Sequence, residues 1–374
     1  MKNDKMFMKA VFPGKYIQGE GAIAQLPEFA AMFGRKGFII ASRTANDRII
    51  PRYPGATSES QFAAERFQGE CCESEIGRLS GIATEKGADV IIGMGGGKAI
   101  DTAKVVADRL RLPVIVAPTI ASTDAPCSGL SIIYTEKGLF QSVYYLKMNP
   151  QAVIVDTAVI ADAPARFLVS GMGDSLATWF EARSCDRTHS ANECGGYSTM
   201  TGLNLARLCY DTIMTYGLSA RAACERHVVT PALNHVVEAN TLLSGIGFES
   251  SGLAAAHSIH NGLTALEETH SFYHGEKVAF GVLAGLQLTD ASPGESEEVF
   301  SFCEETGLPT TLADIGLANA GRDRLMKVAE KACAPAEAIH HEAGEITAEK
   351  VFSAIIAADA MGELRKSRRL IPVR

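Results

Sequence analysis

Between residues 37 and 157 the chain alternates short β-rich runs with stretches of helical spacing, and after about Ala163 the alternation stops. The runs are GFIIAS at 37 to 42, FAAERF near 62, ADVIIGMG ending at Gly95 and LPVIVAPT at 112 to 119, with helical patterns over 73 to 86 and 98 to 110. Strands separated by helices pair in parallel beneath them, so this pattern predicts an α/β layer. LSIIYT and SVYYL, on either side of Gly138, predict a hairpin, and AVIVDT at 152 to 157 closes the region. Beyond it, DSLATWFEARSC, TMTGLNLARLCYDTIMTYG and TPALNHVVEANTLLSGIGF place apolar residues at helical spacing, which predicts a second part that is nearly all helix. A chain of 374 residues supports two cores. The expected division is an α/β domain over residues 1–163 and an all-helical domain over 164–374, sharing a cleft of the kind that binds small ligands.

Composition narrows the partners. The formal charge is −8, which disfavours nucleic acid and anionic membrane as principal partners. The basic cluster LRKSRRL near the C-terminus reads as a solvated face or a frayed end. Nine cysteines without paired spacing, Cys71 and Cys72 being adjacent, give neither a disulfide framework nor a CxxC zinc knuckle. The opening stretch MKNDKMFMKAVFPGKY lacks the apolar core of a signal peptide, and no apolar run approaches spanning length. The expectation is a cytoplasmic protein.

The strand ADVIIGMG runs into GMGGGKAIDTAK, beginning at Gly93. Glycines let backbone N–H groups approach a phosphate, and a helix starting behind them aims its positive end at the anion. The alternative is a ligand-free strand-to-helix turn, and three consecutive glycines, Gly95, Gly96 and Gly97, favour the phosphate cradle. It is neither a P-loop, since Ile92 and Ala99 stand where glycine and Ser/Thr are needed, nor the GxGxxG fingerprint, since Lys98 takes the third glycine's place. After the next strand, APTIASTDAPCSGLSIIY either lines a ligand with hydroxyls or is a turn in which Ser122 or Thr123 caps a helix.

In the helical half, GMGDSLATWFEA presents Asp174, expected in the first turn of a helix. GLAAAHSIHNGLT presents His257 and His260, and THSFYHGEKVAFG presents His270 and His274 ahead of another helix. One carboxylate and two imidazoles make a three-ligand set for a divalent metal with a position left for a substrate oxygen. The bland readings are a helix N-terminal acid and a satisfied core histidine. HxxH at 257 to 260 is not HExxH, so a zinc protease has no support.

Taken together, FPGKYIQGEGAI, GMGGGKAIDTAK, APTIASTDAPCSGLSIIY, SGMGDSLATWFEARSC, HVVTPAL, VVEANTLLSGIGFESSGLAAAHSIHNGLTAL and YHGEKVAFG make the chain resemble, over nearly its whole length, the glycerol dehydrogenases. They are the zinc-dependent branch of the iron-containing alcohol dehydrogenase family, whose fold is similar to that of dehydroquinate synthase. The resemblance implies an N-terminal dinucleotide-binding domain and an all-helical metal and substrate domain. It implies oxidation of glycerol and related vicinal diols, with dihydroxyacetone the product from glycerol, hydride passing to NAD, and a homo-oligomer that is often an octamer. Gly95, Gly96, Gly97, Lys98 and Asp101 would hold the pyrophosphate and nearby groups, and Thr119, Ser122, Ser128, Leu130 and Tyr134 would line the rest of the dinucleotide. Asp124 would contact the polyol, and Asp174, His257 and His274 would bind zinc. Asp124 and His260 are candidate proton acceptors.

Two positions depart from the wider family's pattern. The iron enzymes carry a further histidine four residues after the metal aspartate, where this chain has Thr178, leaving three protein ligands. NAD-dependent relatives end the strand matching GFIIAS in an acidic residue; here Ser42 stands there, followed by Arg43. Without that carboxylate an adenosine 2′-phosphate meets no repulsion, so NADP is expected to be tolerated beside NAD. Two other readings are a lyase like dehydroquinate synthase, for which only Arg183 and Lys277 supply positive charge near the ligands, and a non-catalytic metal- and nucleotide-binding protein on the same fold.

Overall fold

The computed structural model describes residues 7–58 and 61–369. Eight strands are present among them: β1 Tyr16–Gly19, β2 Gly37–Ala41, β3 Phe62–Arg66, β4 Val90–Gly95, β5 Val114–Pro118, β6 Leu130–Tyr134, β7 Phe140–Tyr145 and β8 Ala152–Asp156. Six of them form one parallel sheet in the order β1-β8-β5-β4-β2-β3. The four inner strands, β8, β5, β4 and β2, are buried along their whole length, as apolar runs without alternation require when both faces are covered. Only β1 has no counterpart among the expected strands. It is four half-buried residues paired along one side, too short to announce itself by composition.

The helices are α1 Leu26–Ala31, α2 Glu73–Glu85, α3 Gly97–Leu110, α4 Thr157–Asp162, α5 Ala165–Thr188, α6 Met200–Glu225 and α7 Pro231–Glu238. Then come α8 Ser244–Ser251, α9 Ala255–Leu263, α10 His274–Leu288, α11 Pro293–Thr306, α12 Arg322–Ala332 and α13 Ala348–Arg369. Beyond residue 163 no strand is found among the described residues, in agreement with the change of texture in the sequence. One sheet face buries Ile39, Ile92, Ile115 and Ile154 against Leu26, Ala30 and Val159. On α3, Ala103 faces Gly93, where an added Cβ would lie 2.7 Å from the Ala103 methyl; that glycine lets the helix lie close on its strand. β6 and β7 pair antiparallel as the expected hairpin, and Gly138 turns it with φ +76°.

The chain forms two compact units that are not contiguous in sequence. One comprises Val11–Leu168 with Ser219–Ile246, and the other Val169–Leu218 with Gly247 onward and the residues up to Ala10. Residues 219–246 thus pack with the α/β part. In the helical unit the basic cluster LRKSRRL is no frayed end. Through Arg369 it lies on α13, where Arg365 is bonded to Glu297 and Glu304 and Lys366 to Asp314. Its last residue, Leu370, lies outside the described residues, as do the first six residues of the N-terminal stretch.

Candidate active site

In the α/β unit, β2 feeds β3 on one side of the sheet and β4 feeds β5 on the other. A crevice therefore opens beyond the carboxyl ends of β2 and β4, which is where open parallel sheets bind ligands. Ser42 and Gly95 stand at those ends. Ser42 N–H donates to Met94 O, and a Cβ on Gly95 would lie 2.8 Å from the Ser42 Cβ. A Cβ on Gly96 would meet Ile120 at 2.9 Å, whereas at Gly97 only Thr123 Oγ1 lies within reach, at 3.7 Å. None of the three has positive φ, so the glycines serve close approach and not an unusual backbone turn. Gly97 opens α3, whose first N–H groups have no partner within the helix. A bare helix N-terminus with space a side chain would fill fits a pyrophosphate.

The remaining positions are distributed around this point. Lys98 Nζ forms an ion pair with Glu70 Oε2 at 2.7 Å and lies 4.8 Å from the centre of the Tyr134 ring. Asp101, turned inward, accepts from Ile132 N–H and pairs with Lys104. Thr119 N–H donates to Gly95 O, tying the β5 end to the glycine loop. No helix starts after Ser122 or Thr123, so the capping alternative is incorrect: TIASTDAPCSG is a loop running from β5 to β6. It buries Ser122 and Ser128 and delivers Leu130 and Tyr134 on β6. Asp124 Oδ2 accepts from Ser244 Oγ at 3.1 Å within the same unit.

In the helical unit Asp174 is not in a first turn. α5 begins at Ala165, directly after Pro164, and Asp174 lies in its middle, 1 % exposed. Glycines beside the ligands bring the helices into contact. A Cβ on Gly275 would lie 1.8 Å from Ser170 O, one on Gly173 would lie 2.2 Å from Gly275 O, and one on Gly281 would lie 2.4 Å from Ala256 O. Backbone therefore meets backbone where α5, α9 and α10 cross, and Asp174, His257 and His274 converge. His257 Nε2 lies 3.4 Å and His274 Nε2 3.1 Å from the same Asp174 oxygen, and the three ligand atoms lie within 4.8 Å of one another. Ligand atoms about 2.0–2.1 Å from a tetrahedral centre stand about 3.3 Å apart, close to the two distances from Asp174.

Protons decide what this cluster needs. His257 Nδ1 is 2.5 Å from Glu181 Oε2, so it carries the hydrogen and donates. His274 Nδ1 is 3.1 Å from His260 Nε2, and His260 Nδ1 is 3.1 Å from Asn261 Oδ1. With each Nδ1 donating outward, both Nε2 atoms face the Asp174 carboxylate, an arrangement that either a second proton on the imidazoles or a metal cation held among the three groups makes favourable. Burial, His274, Lys277 and His257 push the His260 imidazole well below its ordinary value, keeping it a neutral acceptor. Burial alone would raise the Asp174 carboxyl, but His274 and His257 outweigh it and hold the group well below the carboxylate range. Burial likewise opposes a proton on His257, while Glu181 and Asp174 raise that imidazole well above its ordinary value. The donor set fits a divalent transition metal.

Glu181 is the residue of this cluster that sequence reasoning missed. It is 1 % exposed, two helical turns past Asp174 on α5, and its Oε1 accepts the N–H groups of Ala254 and His257, both at 2.9 Å. That seven-residue spacing was the available signal. His260 stands behind His274, and His270 turns away to Thr264 O. Thr178, where the iron enzymes have a histidine, is fully buried. Arg183 is occupied by Glu295 at 2.6 Å.

Residues 13–157 match the iron-containing alcohol dehydrogenases. A glycerol dehydrogenase of Thermotoga maritima is 53% identical over 97% of this chain and 100% of its own length. The chain belongs to the iron-containing alcohol dehydrogenase family. Within that family, a glycerol dehydrogenase of Pseudomonas putida is 50% identical over 94% of this chain and 97% of its own. The crystal structure of a probable glycerol dehydrogenase from Sinorhizobium meliloti superposes with a TM-score of 0.90 at 44% identity, covering 95% of this chain and 99% of the other. No helix among the described residues is long and apolar enough to cross a membrane.

Proposed function

We propose that this chain oxidises glycerol and related vicinal diols, passing hydride to NAD with a zinc ion held by Asp174, His257 and His274. The observation that carries the reading is the convergence of these three side chains, in a family member whose close relatives are glycerol dehydrogenases. Zinc, when bound, would supply Lewis acidity to a substrate hydroxyl, and NAD would accept the hydride. The chain's own residues do the rest. Glu181 keeps the proton of His257 on Nδ1, and His260 does the same for His274, so that both Nε2 atoms stay available. Burial of Asp174 withholds it from water. Ser244 fixes the carboxylate of Asp124, which would receive a polyol hydroxyl.

The crevice beyond β2 and β4 would take the dinucleotide, with Gly95, Gly96 and Gly97 against its pyrophosphate and Lys98, once released from Glu70, beside it. Thr119, Ser122, Ser128, Leu130 and Tyr134 would line the remainder. Ser42 in place of an acid, with the side chain of Arg43 80% exposed and only 3.8 Å contact to Asp47, supports use of NADP as well. Turnover with NAD but none with NADP would reject that part. The reading further includes a cytoplasmic homo-oligomer, which light scattering on the purified protein would size.

The test is reduced-nicotinamide absorbance with glycerol and NAD, before and after chelation and zinc add-back. Zinc-restorable NADH formation, abolished in His274→Ala while dinucleotide binding persists, is the expected result. A flat trace with every diol, from protein holding both zinc and NAD, rejects it.

A further inference from the structure

Lys104 is a fully buried charge in the α/β unit. It lies two turns into α3 with no exposed surface, although nothing in the functional reading uses it. A buried ammonium persists only where its donors are satisfied. Its Nζ donates to Ala125 O at 2.9 Å, to Leu130 O, and to Ser128 O at 3.3 Å with Ser128 Oγ at 3.5 Å, and Asp101 Oδ1 stands 3.1 Å away. Ala125 and Ser128 lie in the loop between β5 and β6 and Leu130 opens β6, so the three carbonyls are successive points along the approach to that strand. Asp101 completes the clasp from the same helix, its Oδ2 accepting from Ile132 N–H at 3.0 Å. The loop's other side is held by Asn240, which donates to Ala121 O, and by Ser244, which donates to Asp124.

This loop carries Asp124 and Ser128 and leads into Leu130 on β6, residues assigned above to polyol and dinucleotide. A hydrophobic side chain would fill the same volume without fixing any carbonyl. We propose that Lys104, with Asp101, is a positioning residue that sets the loop over residues 124–130 in the conformation that receives dinucleotide and polyol. The proposal rests on the dehydrogenase reading. It reassigns Asp101 from the pyrophosphate to the support of the loop.

The test uses the full-length zinc-loaded protein. The double variant Asp101→Asn/Lys104→Met removes the clasp without leaving an unpaired buried charge, and Lys104→Gln keeps two N–H donors should the double variant fold poorly. Expected are unchanged zinc content, an NADH Kd raised about tenfold and a kcat/KM for glycerol lowered at least about tenfold, with Lys104→Gln between these and wild type, as loss of charge-assisted bonds to a binding loop implies. A merely structural role predicts a lower melting temperature with Kd and kcat within about twofold of wild type at 25 °C; with either variant that result overturns the proposal. A wild-type chain that binds no NADH overturns the dehydrogenase reading and this inference with it, and the two failures are told apart by whether the defect is in wild type or only in the variants.

Discussion

Glu181→Gln is the sharpest test of the metal centre, because it alters one atom behind a ligand and leaves all three ligands in place. In the native site Glu181 accepts three hydrogen bonds, two from backbone N–H groups at 2.9 Å and one from His257 Nδ1. A glutamine can keep its oxygen on the two backbone donors only by presenting its NH2 to the Nδ1 hydrogen, donor against donor. Turning the amide restores that bond and strands the two backbone N–H groups of a buried helix start. Either way one charge-assisted bond worth about 1.5–3 kcal/mol is lost from the state in which Nε2 faces the metal. Removal of such a supporting carboxylate typically weakens metal affinity about 10- to 100-fold. At saturating zinc the variant should therefore lose about 1.4–2.7 kcal/mol of zinc-dependent stabilisation, while the zinc-free proteins melt closer together. Competition with a chromophoric chelator reads the affinity directly, and cobalt substitution reads the ligand geometry. A zinc Kd within twofold of wild type would refute the reasoning about the proton on Nδ1.

Three further outcomes follow. Burial pushes the Lys277 ammonium from its ordinary 10.5 down to about 8, so between those values the unfolded chain binds the extra proton and stability from this group rises with pH. Below pH 8 the charge costs on the order of 3 kcal/mol. Lys277→Met should therefore melt higher than wild type at pH 7, with the gap closing toward pH 10; a gap independent of pH would sink this account. Glu70→Gln should release Lys98, whose half-exposed pair with Glu70 is worth no more than about 1 kcal/mol, and lower the KM for NAD by about two- to fivefold. An unchanged or raised KM would mean that Lys98 does not reach the pyrophosphate. Gly97→Val should leave zinc content and melting temperature near wild type while raising the KM for NAD at least about tenfold, since its side chain would enter the space a phosphate needs. Unaltered NAD kinetics would show that space to be empty of function.

The α/β layer was legible because its signals are local. Each inner strand is a short apolar run that ends in, or is followed directly by, a glycine, proline or polar residue, and the chain between runs is long enough for a crossover helix. The glycine loop was legible for the same reason. Asp174 was recognisable by type and by resemblance, but its place was not: the glycines of SGMGD suggested a helix start, whereas α5 begins nine residues earlier behind Pro164. Lys98 and Asp101 have partners, Glu70 and Ile132 among them, that are nearly thirty or more residues away in the chain, so no local pattern announced that one is ion-paired and the other turned inward. The frayed-end alternative for the tail cluster failed likewise, because the carboxylates that neutralise Arg365 and Lys366 come from α11 and from Asp314.

The proposed metal ligands pose the harder case, since 83 residues separate Asp174 from His257 and 17 separate His257 from His274. What converts that separation into a site is the absence of side chains beside the ligands. Gly275 follows His274 and Gly173 precedes Asp174, and each would clash with main chain of the facing helix if it carried a Cβ. Helices that cross on glycine approach more closely than side-chain packing allows, so the adjoining long side chains meet at ligand distance. A glycine in a helix interior costs up to about 1 kcal/mol relative to alanine, so its presence next to a titratable residue asks for a packing reason. Here the reason and the site coincide. GMGD and HGEK are therefore readable as paired contact points even where the ligand spacing in sequence carries no information.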